Sequence, residues 1–232
     1  YNRAAMTLEA VESVLAQDYP SFEVIVVDDG SKDETAVLLH NLQNPRIQVI
    51  ALPHGGASVA RNTGVRASAG KLIAFLDSDD LFLPGKLTAY ADLFATRPEL
   101  VMVYSDWIEK SPEGEFRKSP PPPDRLLDGI LMLHAVGTPN VMATRDVIEK
   151  AGGFEAGMSV GEDMLLWFRI ASEGPVARLE TPYSIVRRHG GNTIPSHSQL
   201  LITYSSLLKR IPEMRHKKPG RSAIAYAYLN MA

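Results

Sequence analysis

The 232-residue chain has no cysteine, which at once excludes disulfide scaffolds, thiolate zinc sites and cysteine nucleophiles. It has no apolar run near the roughly 18 residues a spanning helix needs, and no stretch reads as a signal peptide, so the expected compartment is the cytoplasm. Neither sign of charge is in excess. The 24 Lys and Arg against 27 Asp and Glu leave a net charge of −3, a balance that argues against coating nucleic acid. What is present is the mixture of an ordinary folded domain, 45% apolar and 22% charged. The chain opens at Tyr1 without a Met and ends at Ala232 inside a helical pattern, and is expected to be an excerpt of a longer protein.

Short apolar runs alternate with helical patterns, the signature of an α/β sheet built from βαβ units. Leu8, Val11, Val14 and Leu15 fall at helical spacing before Asp18-Tyr19-Pro20 breaks the pattern. Strands are expected over Glu23 to Val27, Arg46 to Leu52, Lys71 to Leu76 and Leu100 to Tyr104, with helices over about 33–43, Ala57 to Ala69 and Pro84 to Thr96. The alternation then stops. Residues 109–123 are charged and end in four prolines, which reads as a stiff extended loop rather than an element. Further on, helices are expected near 124–135, 145–151 and Gly161 to Ser172, and strands near Asn140 to Ala143 and Pro182 to Arg187. Trp167 reads as core. From about Gln199 the pattern is helical, with another helix after Pro219-Gly220.

In open α/β sheets ligands bind at the carboxyl ends of the strands. Two expected strands run there into acids, Asp28-Asp29-Gly30-Ser31 and Asp77-Ser78-Asp79-Asp80. One such Asp is a good helix cap. Five at two strand ends cost electrostatic energy unless a cation or hydrogen-bond donors compensate, and oxygen-only ligation suits Mg²⁺ or Mn²⁺. A third acidic pair, Glu162-Asp163, opens the Met164-Leu165-Leu166-Trp167 helix, where complementarity to the helix dipole would alone explain it.

Together, SVLAQDYPSFEVIVVDDGSKDET, GGASVARNTGVRASAGKLIAFLDSDD and GGFEAGMSVGEDMLLWFRIASEG resemble the family 2 inverting glycosyltransferases of the GT-A fold, over about residues 1–195. The resemblance implies a Rossmann-like, mostly parallel central sheet flanked by helices, a glycosyltransferase domain over 1–195, and the start of a helical extension over 196–232. It also implies roles. Asp28 and Asp29 match the acidic motif that contacts base and ribose, and Arg61 and Asn62 the Arg-Asn beside the nucleotide. Asp77 and Asp79 match the Asp-x-Asp, with Asp77 and Ser78 on the nucleotide side and Asp79 the metal ligand. Asp163 matches the catalytic base and Glu162 its acidic neighbour. Arg188 and His189 match a late basic segment near diphosphate and metal, which makes His189 a second candidate ligand. Family members begin with a central apolar strand ending in Pro-x-Tyr-Asn; here Tyr1 and Asn2 stand at that nucleotide-side position and the strand is missing. The implied reaction moves a sugar, with inversion, from a nucleoside diphosphate donor, most commonly a UDP-sugar. The acceptor hydroxyl would belong to a glycan or lipid-linked molecule in cell-surface polysaccharide or glycolipid synthesis.

Two rivals stay open on the residues: a sugar-phosphate nucleotidyltransferase, and a non-catalytic nucleotide-sugar-binding module. Gly157-Met158-Ser159-Val160-Gly161 has the spacing of a hydrolase nucleophile elbow but lacks the buried strand before its Ser. In the tail, Lys209, Arg210, Arg215, His216, Lys217, Lys218 and Arg221 form a basic patch. Its default reading is a solvated linker; the sharper one is peripheral contact with an anionic membrane or a lipid-linked acceptor at the membrane's inner face.

Overall fold

A computed structural model describes residues 1–132, 136–158, 160–192, 196–213, 218–220 and 222–224. The first half alternates as its apolar periodicity dictates. Helix α1 (Ala4–Leu15) leads to strand β1 (Val24–Asp28), then α2 (Thr35–Asn41), β2 (Ile47–Ala51), α3 (Ala57–Ala67), β3 (Leu72–Ala74), the short β4 (Leu81–Phe82), α4 (Lys86–Thr96) and β5 (Met102–Ser105). A hairpin of β6 (Trp107–Ser111) and β7 (Gly114–Lys118) follows. The remainder is α5 (Leu126–Leu131), a 3-10 turn at Thr138–Asn140, β8 (Val141–Thr144), α6 (Arg145–Lys150), α7 (Glu162–Glu173), β9 (Val176–Leu179), β10 (Ser184–Arg187) and α8 (His197–Arg210).

The strands form three ladders, β1-β2, β3-β8-β5-β9 and β4-β10-β6-β7. Parallel pairing joins β1 to β2, β5 to β9 and β6 to β10, whereas β8 lies antiparallel between β3 and β5. The sheet is therefore mixed. From β5 to β8 the chain passes through a hairpin and α5 rather than a single crossover helix, and so the right-handed βαβ path that enforces parallel order is not followed there.

Period-two alternation sends the side chains of the β3-β8-β5-β9 sheet to opposite faces, and both faces are covered. Ile73, Met102, Tyr104, Val141 and Ala143 pack with Leu166, Trp167 and Ile170 of α7. Val103, Met142 and Ala177 pack on the other side with Leu87, Tyr90 and Phe94 of α4. Trp167 is fully buried, as expected, and its indole N–H donates to the Val136 carbonyl at 3.1 Å. Phe154 meets both Phe75 and Trp167 edge to face, at 5.2 and 5.9 Å between ring centres. Helix α8 joins the same core through Tyr204, Leu207 and Leu208, and Ser196 with Gln199 closes a capping box at its start.

The expectation of a plain loop over 109–123 is overturned. Residues 107–118 form an antiparallel ribbon with Ser111 opposite Gly114, and its cross-strand pairs include Lys110–Glu115 and Lys118–Glu109. The ribbon's second strand is an edge, so charge on both faces is compatible with pairing and hides the strand period. Strand β9, also absent from the sequence reading, is four residues in which Arg178 interrupts the apolar run.

Among the described residues β1 and β3 share no ladder, and a cavity of about 1620 Å³ runs between them, lined by Val24 to Val27 on one side and Leu72 to Leu76 on the other. The apolar slot opens at its polar end onto Asp28, Asp29, Asp77, Asp79, Glu162 and Asp163.

Candidate active site

The polar end of the cavity gathers carboxylates from three distant parts of the chain. Asp28, the last residue of β1, accepts the Ser31 amide at 3.1 Å. The Asp29 carboxylate accepts the amides of Gly55 and Gly56 at 2.7 and 2.9 Å, fixing the loop that enters α3, and pairs with His54 Nδ1 at 2.8 Å. The His54 ring lies 4.8 Å from that of Tyr1. Asn2 is held by the next turn, its amide donating to Ser31 Oγ at 3.0 Å and its Oδ1 accepting the Lys32 amide at 2.8 Å. Tyr1, Asn2, Asp28 and Asp29 thus meet at one rim.

Arg61, on α3, reaches across the floor. Its Nη2 donates to Asp77 Oδ1 at 2.6 Å and its Nη1 to Glu162 Oε1 at 2.7 Å. Burial opposes its charge, but Asp77 and Glu162 outweigh that and push its pKa upward. The resemblance puts this arginine beside the nucleotide; the geometry makes it a link between the Asp77 turn and the start of α7. Ser78 lines the same cleft.

Asp79 is surrounded by nitrogen. Arg3 pairs with its Oδ2, His189 Nε2 lies 3.0 Å from that oxygen, and Asn192 Nδ2 3.5 Å. Arg3 also donates to the Gly191 carbonyl at 3.0 Å, tying α1 to the loop after β10. The Gly191 amide donates to His189 Nδ1 at 3.0 Å. A neutral ring that accepts there carries its proton on Nε2, and so donates to Asp79. Neighbouring Asp80 accepts the Arg187 amide at 2.9 Å, yet burial together with the charges of Asp77 and Asp79 pushes its carboxyl up to about 8.

Asp163 stands in the first turn of α7, after Gly161 at φ +77. A Cβ on Gly161 would lie 2.5 Å from Thr203 Oγ1, so α8 packs onto the backbone that aims the Asp. Asp163 Oδ1 accepts the Met164 amide at 2.7 Å, and Thr138 Oγ1 lies 3.4 Å from Oδ2. Burial pushes Asp163 up to about 6; Glu162 pushes the same way and Arg61 opposes. A carboxyl tuned to that range is suited to taking a proton near neutrality.

Sequence reasoning named Asp28, Asp29, Asp77, Ser78, Asp79, Glu162, Asp163, Arg61, Tyr1, Asn2 and His189; all but Asn2 border this one cleft or pair with a group that does, and Asn2 stands between the lining residues Tyr1 and Arg3, bound to the turn after Asp28. It did not name Arg3, Thr138 or Asn192, which carry no motif spacing of their own, and it read His54 as a solvated loop residue rather than a ligand; Asn192 alone had a signal, at the end of the late segment Arg187-Arg188-His189-Gly190-Gly191-Asn192. Of the basic tail, Arg215, His216, Lys217 and Arg221 lie outside the described residues, as does Ser159 of the elbow-like motif. Among the described residues no three His, Asp or Glu side chains are grouped as a ready metal cage, and no helix is long and apolar enough to cross a membrane.

Comparison with known proteins identifies the fold and the family. The crystal structure of Staphylococcus aureus TarS residues 1–349 in complex with UDP-GlcNAc superposes with a TM-score of 0.78 at 19% identity, covering all of this chain and 68% of that one, which shows the shared GT-A fold. An uncharacterized glycosyltransferase of Rickettsia bellii is 32% identical over 214 residues, spanning 89% of this chain but only 31% of that protein. The Escherichia coli protein named UDP-Glc:alpha-D-GlcNAc-diphosphoundecaprenol beta-1,3-glucosyltransferase WfaP is 29% identical over 227 residues, 94% of this chain and 86% of that one. The model of glycosyl transferase family 2 matches residues 1–150, and the chain belongs to that family.

Proposed function

We propose that this chain carries the donor-binding and catalytic unit of an inverting, metal-assisted glycosyltransferase that takes a UDP-sugar. The observation that carries the reading is the bridge from Asp77 through Arg61 to Glu162, which holds the acidic turn after β3 and the Asp163 turn of α7 to one cleft. The UDP-GlcNAc bound in the TarS crystal structure and the UDP-Glc in WfaP's name support the choice of nucleotide, and the lipid-linked acceptor in WfaP's name supports a diphospholipid-linked glycan acceptor. Such an acceptor would bring the protein to the cytoplasmic face of a membrane, where the basic residues of the tail are favourably charged.

The residues fit a divalent cation. Asp79 supplies a hard oxygen donor and His189 an imidazole, a set that suits Mn²⁺ or Mg²⁺. To ligate through Nε2, His189 would move its proton to Nδ1; Arg3 would yield its place on Asp79. When bound, the cation would neutralise charge on the departing diphosphate.

In the reaction itself the Asp163 carboxylate accepts the proton of the acceptor hydroxyl while that oxygen bonds to the anomeric carbon. The bond from that carbon to the diphosphate oxygen breaks on the opposite face, and the nucleoside diphosphate leaves with the electron pair. Asp28, Asp29, Tyr1 and Asn2 sit at the rim where base and ribose would be held. One carboxylate base suffices here, in contrast to glycoside hydrolysis, which pairs a base or nucleophile with a carboxylic acid.

Calorimetric titration of UDP, dTDP and GDP, with and without Mn²⁺, into wild-type protein and Asp79→Ala tests the reading. Expected is Mn²⁺-dependent binding of UDP in preference to the others, lost in Asp79→Ala. Folded protein that binds none of the three overturns it.

A further inference from the structure

Arg61 is held from several sides before it meets either carboxylate. Its guanidinium lies 5.2 Å from the centre of the Phe154 ring. The adjacent Asn62 is locked to the Phe154 backbone, donating to its carbonyl at 2.8 Å and accepting its amide at 2.9 Å. That lock requires Gly153, which has φ +68 and whose Cβ would lie 2.6 Å from Asn62 Oδ1. With the ring below and one carboxylate on each Nη, the guanidinium has little freedom to follow one partner alone.

The charges that face Asp163 are Glu162 on its own helix, Arg61 from α3 and Asp77 from the turn after β3, with the Thr138 hydroxyl from the 3-10 turn. Two of these carboxylates share the single guanidinium. Left to itself, Glu162 would oppose ionisation of Asp163, because adjacent carboxylates in a partly buried turn cannot both ionise freely.

We propose that Arg61 is a positioning residue for the base: by drawing Glu162 toward Asp77 it keeps the neighbouring Asp163 carboxylate ionised and fixes it against the donor-binding turn. The inference rests on the reading of Asp163 as the base. In this role Arg61 acts through Glu162 and touches no reacting atom. The motif resemblance gives Arg61 to the nucleotide; this geometry gives it a second task, on the acceptor side of the reaction.

The test needs no acceptor. The Asp163 side chain is titrated by ¹³C NMR in aspartate-labelled protein, with Asp163→Asn to assign its signal, in wild type, Arg61→Gln, Arg61→Lys, Glu162→Gln and the double variant Arg61→Gln/Glu162→Gln. Expected is an upward shift of the Asp163 midpoint by about one pH unit in Arg61→Gln, the size of one neighbouring carboxylate charge left without its partner at close range. Glu162→Gln should shift it downward, and Arg61→Lys, which keeps the charge but not the fork, should lie between wild type and Arg61→Gln. In the Glu162→Gln background the Arg61→Gln shift should fall to less than half, since the neighbour it restrains is gone. An unmoved midpoint in Arg61→Gln, or the same shift in both backgrounds, overturns the proposal. Should Arg61→Gln lose its fold by circular dichroism, Glu162→Gln decides, and no downward shift there overturns it. UDP titration of the same proteins keeps the two readings apart. Wild-type protein that binds no nucleotide fails the transferase reading, whereas binding with an unmoved midpoint fails this proposal alone.

Discussion

Two arginine–carboxylate networks in this fold follow opposite rules. Asp106, fully buried where the chain leaves β5 for β6, receives Arg178 on one oxygen at 2.9 and 2.7 Å and Arg117 on the other at 3.0 and 2.8 Å, with the Ser119 hydroxyl at 2.7 Å. Burial alone would raise its carboxyl, but these donors outweigh that and hold it below the ordinary range. Two cations serve one acid, and the knot ties β9 to the β6-β7 hairpin. In the cleft the ratio is inverted: Arg61 serves both Asp77 and Glu162, and Asp163 beside them is pushed up to about 6. A satisfied acid is a fastener. A set of acids short of cations is poised to take up a metal or a proton.

The sharpest way to break this contrast is to remove the acid from each network. Asp163→Asn should lower glycosyl transfer by about 10²- to 10⁴-fold, the usual contribution of a general base, while UDP affinity in calorimetry stays at the wild-type value; undiminished turnover places the base elsewhere. Asp106→Ala should leave the nucleotide site in place but lower folding stability by about 3–5 kcal/mol, since two arginines lose a buried partner. Urea denaturation measures this, and a midpoint equal to wild type would mean the knot is not a fastener.

The smallest effect distinguishes the two acids by pH. Asp163 has a folded-state pKa near 6 against an ordinary 3.8. Between those values the folded protein binds the extra proton, so this group makes the wild type lose stability as pH rises from about 4 to about 6. Asp163→Asn should therefore melt a few degrees above wild type at pH 7 to 8 and level with it below pH 4. Parallel melting curves across that range would contradict the raised pKa.

Much of this architecture was legible because it is local. The runs EVIVV and KLIAFL are nearly continuously apolar and need no alternation to be seen as strands, and each delivers its acids to the same cleft. Glu162-Asp163 was readable as a helix start, its roles as acidic neighbour and base came only from the family resemblance, and its place across Arg61 from Asp77 came only from the structure. What stayed hidden depends on partners far along the chain. The hairpin at 107–118 carries charge on both faces because its stability comes from cross-strand pairs and from Arg117 reaching Asp106, neither of which leaves a period in the sequence. Arg3 on Asp79 and Arg61 on Glu162 likewise join residues that no spacing connects; a lone arginine in a helix reads the same whether it ends in solvent or between two acids.

The contact between Gly161 and Thr203 has a historical consequence. With a left-handed backbone at one position and a hydroxyl 2.5 Å from where a Cβ would stand, the two sites cannot drift independently. Any descendant that gains a side chain at Gly161 must already have trimmed Thr203 and relaxed the turn. The order of those changes is therefore constrained, and the base-bearing turn can change its shape only along a path on which the helix behind it changes first.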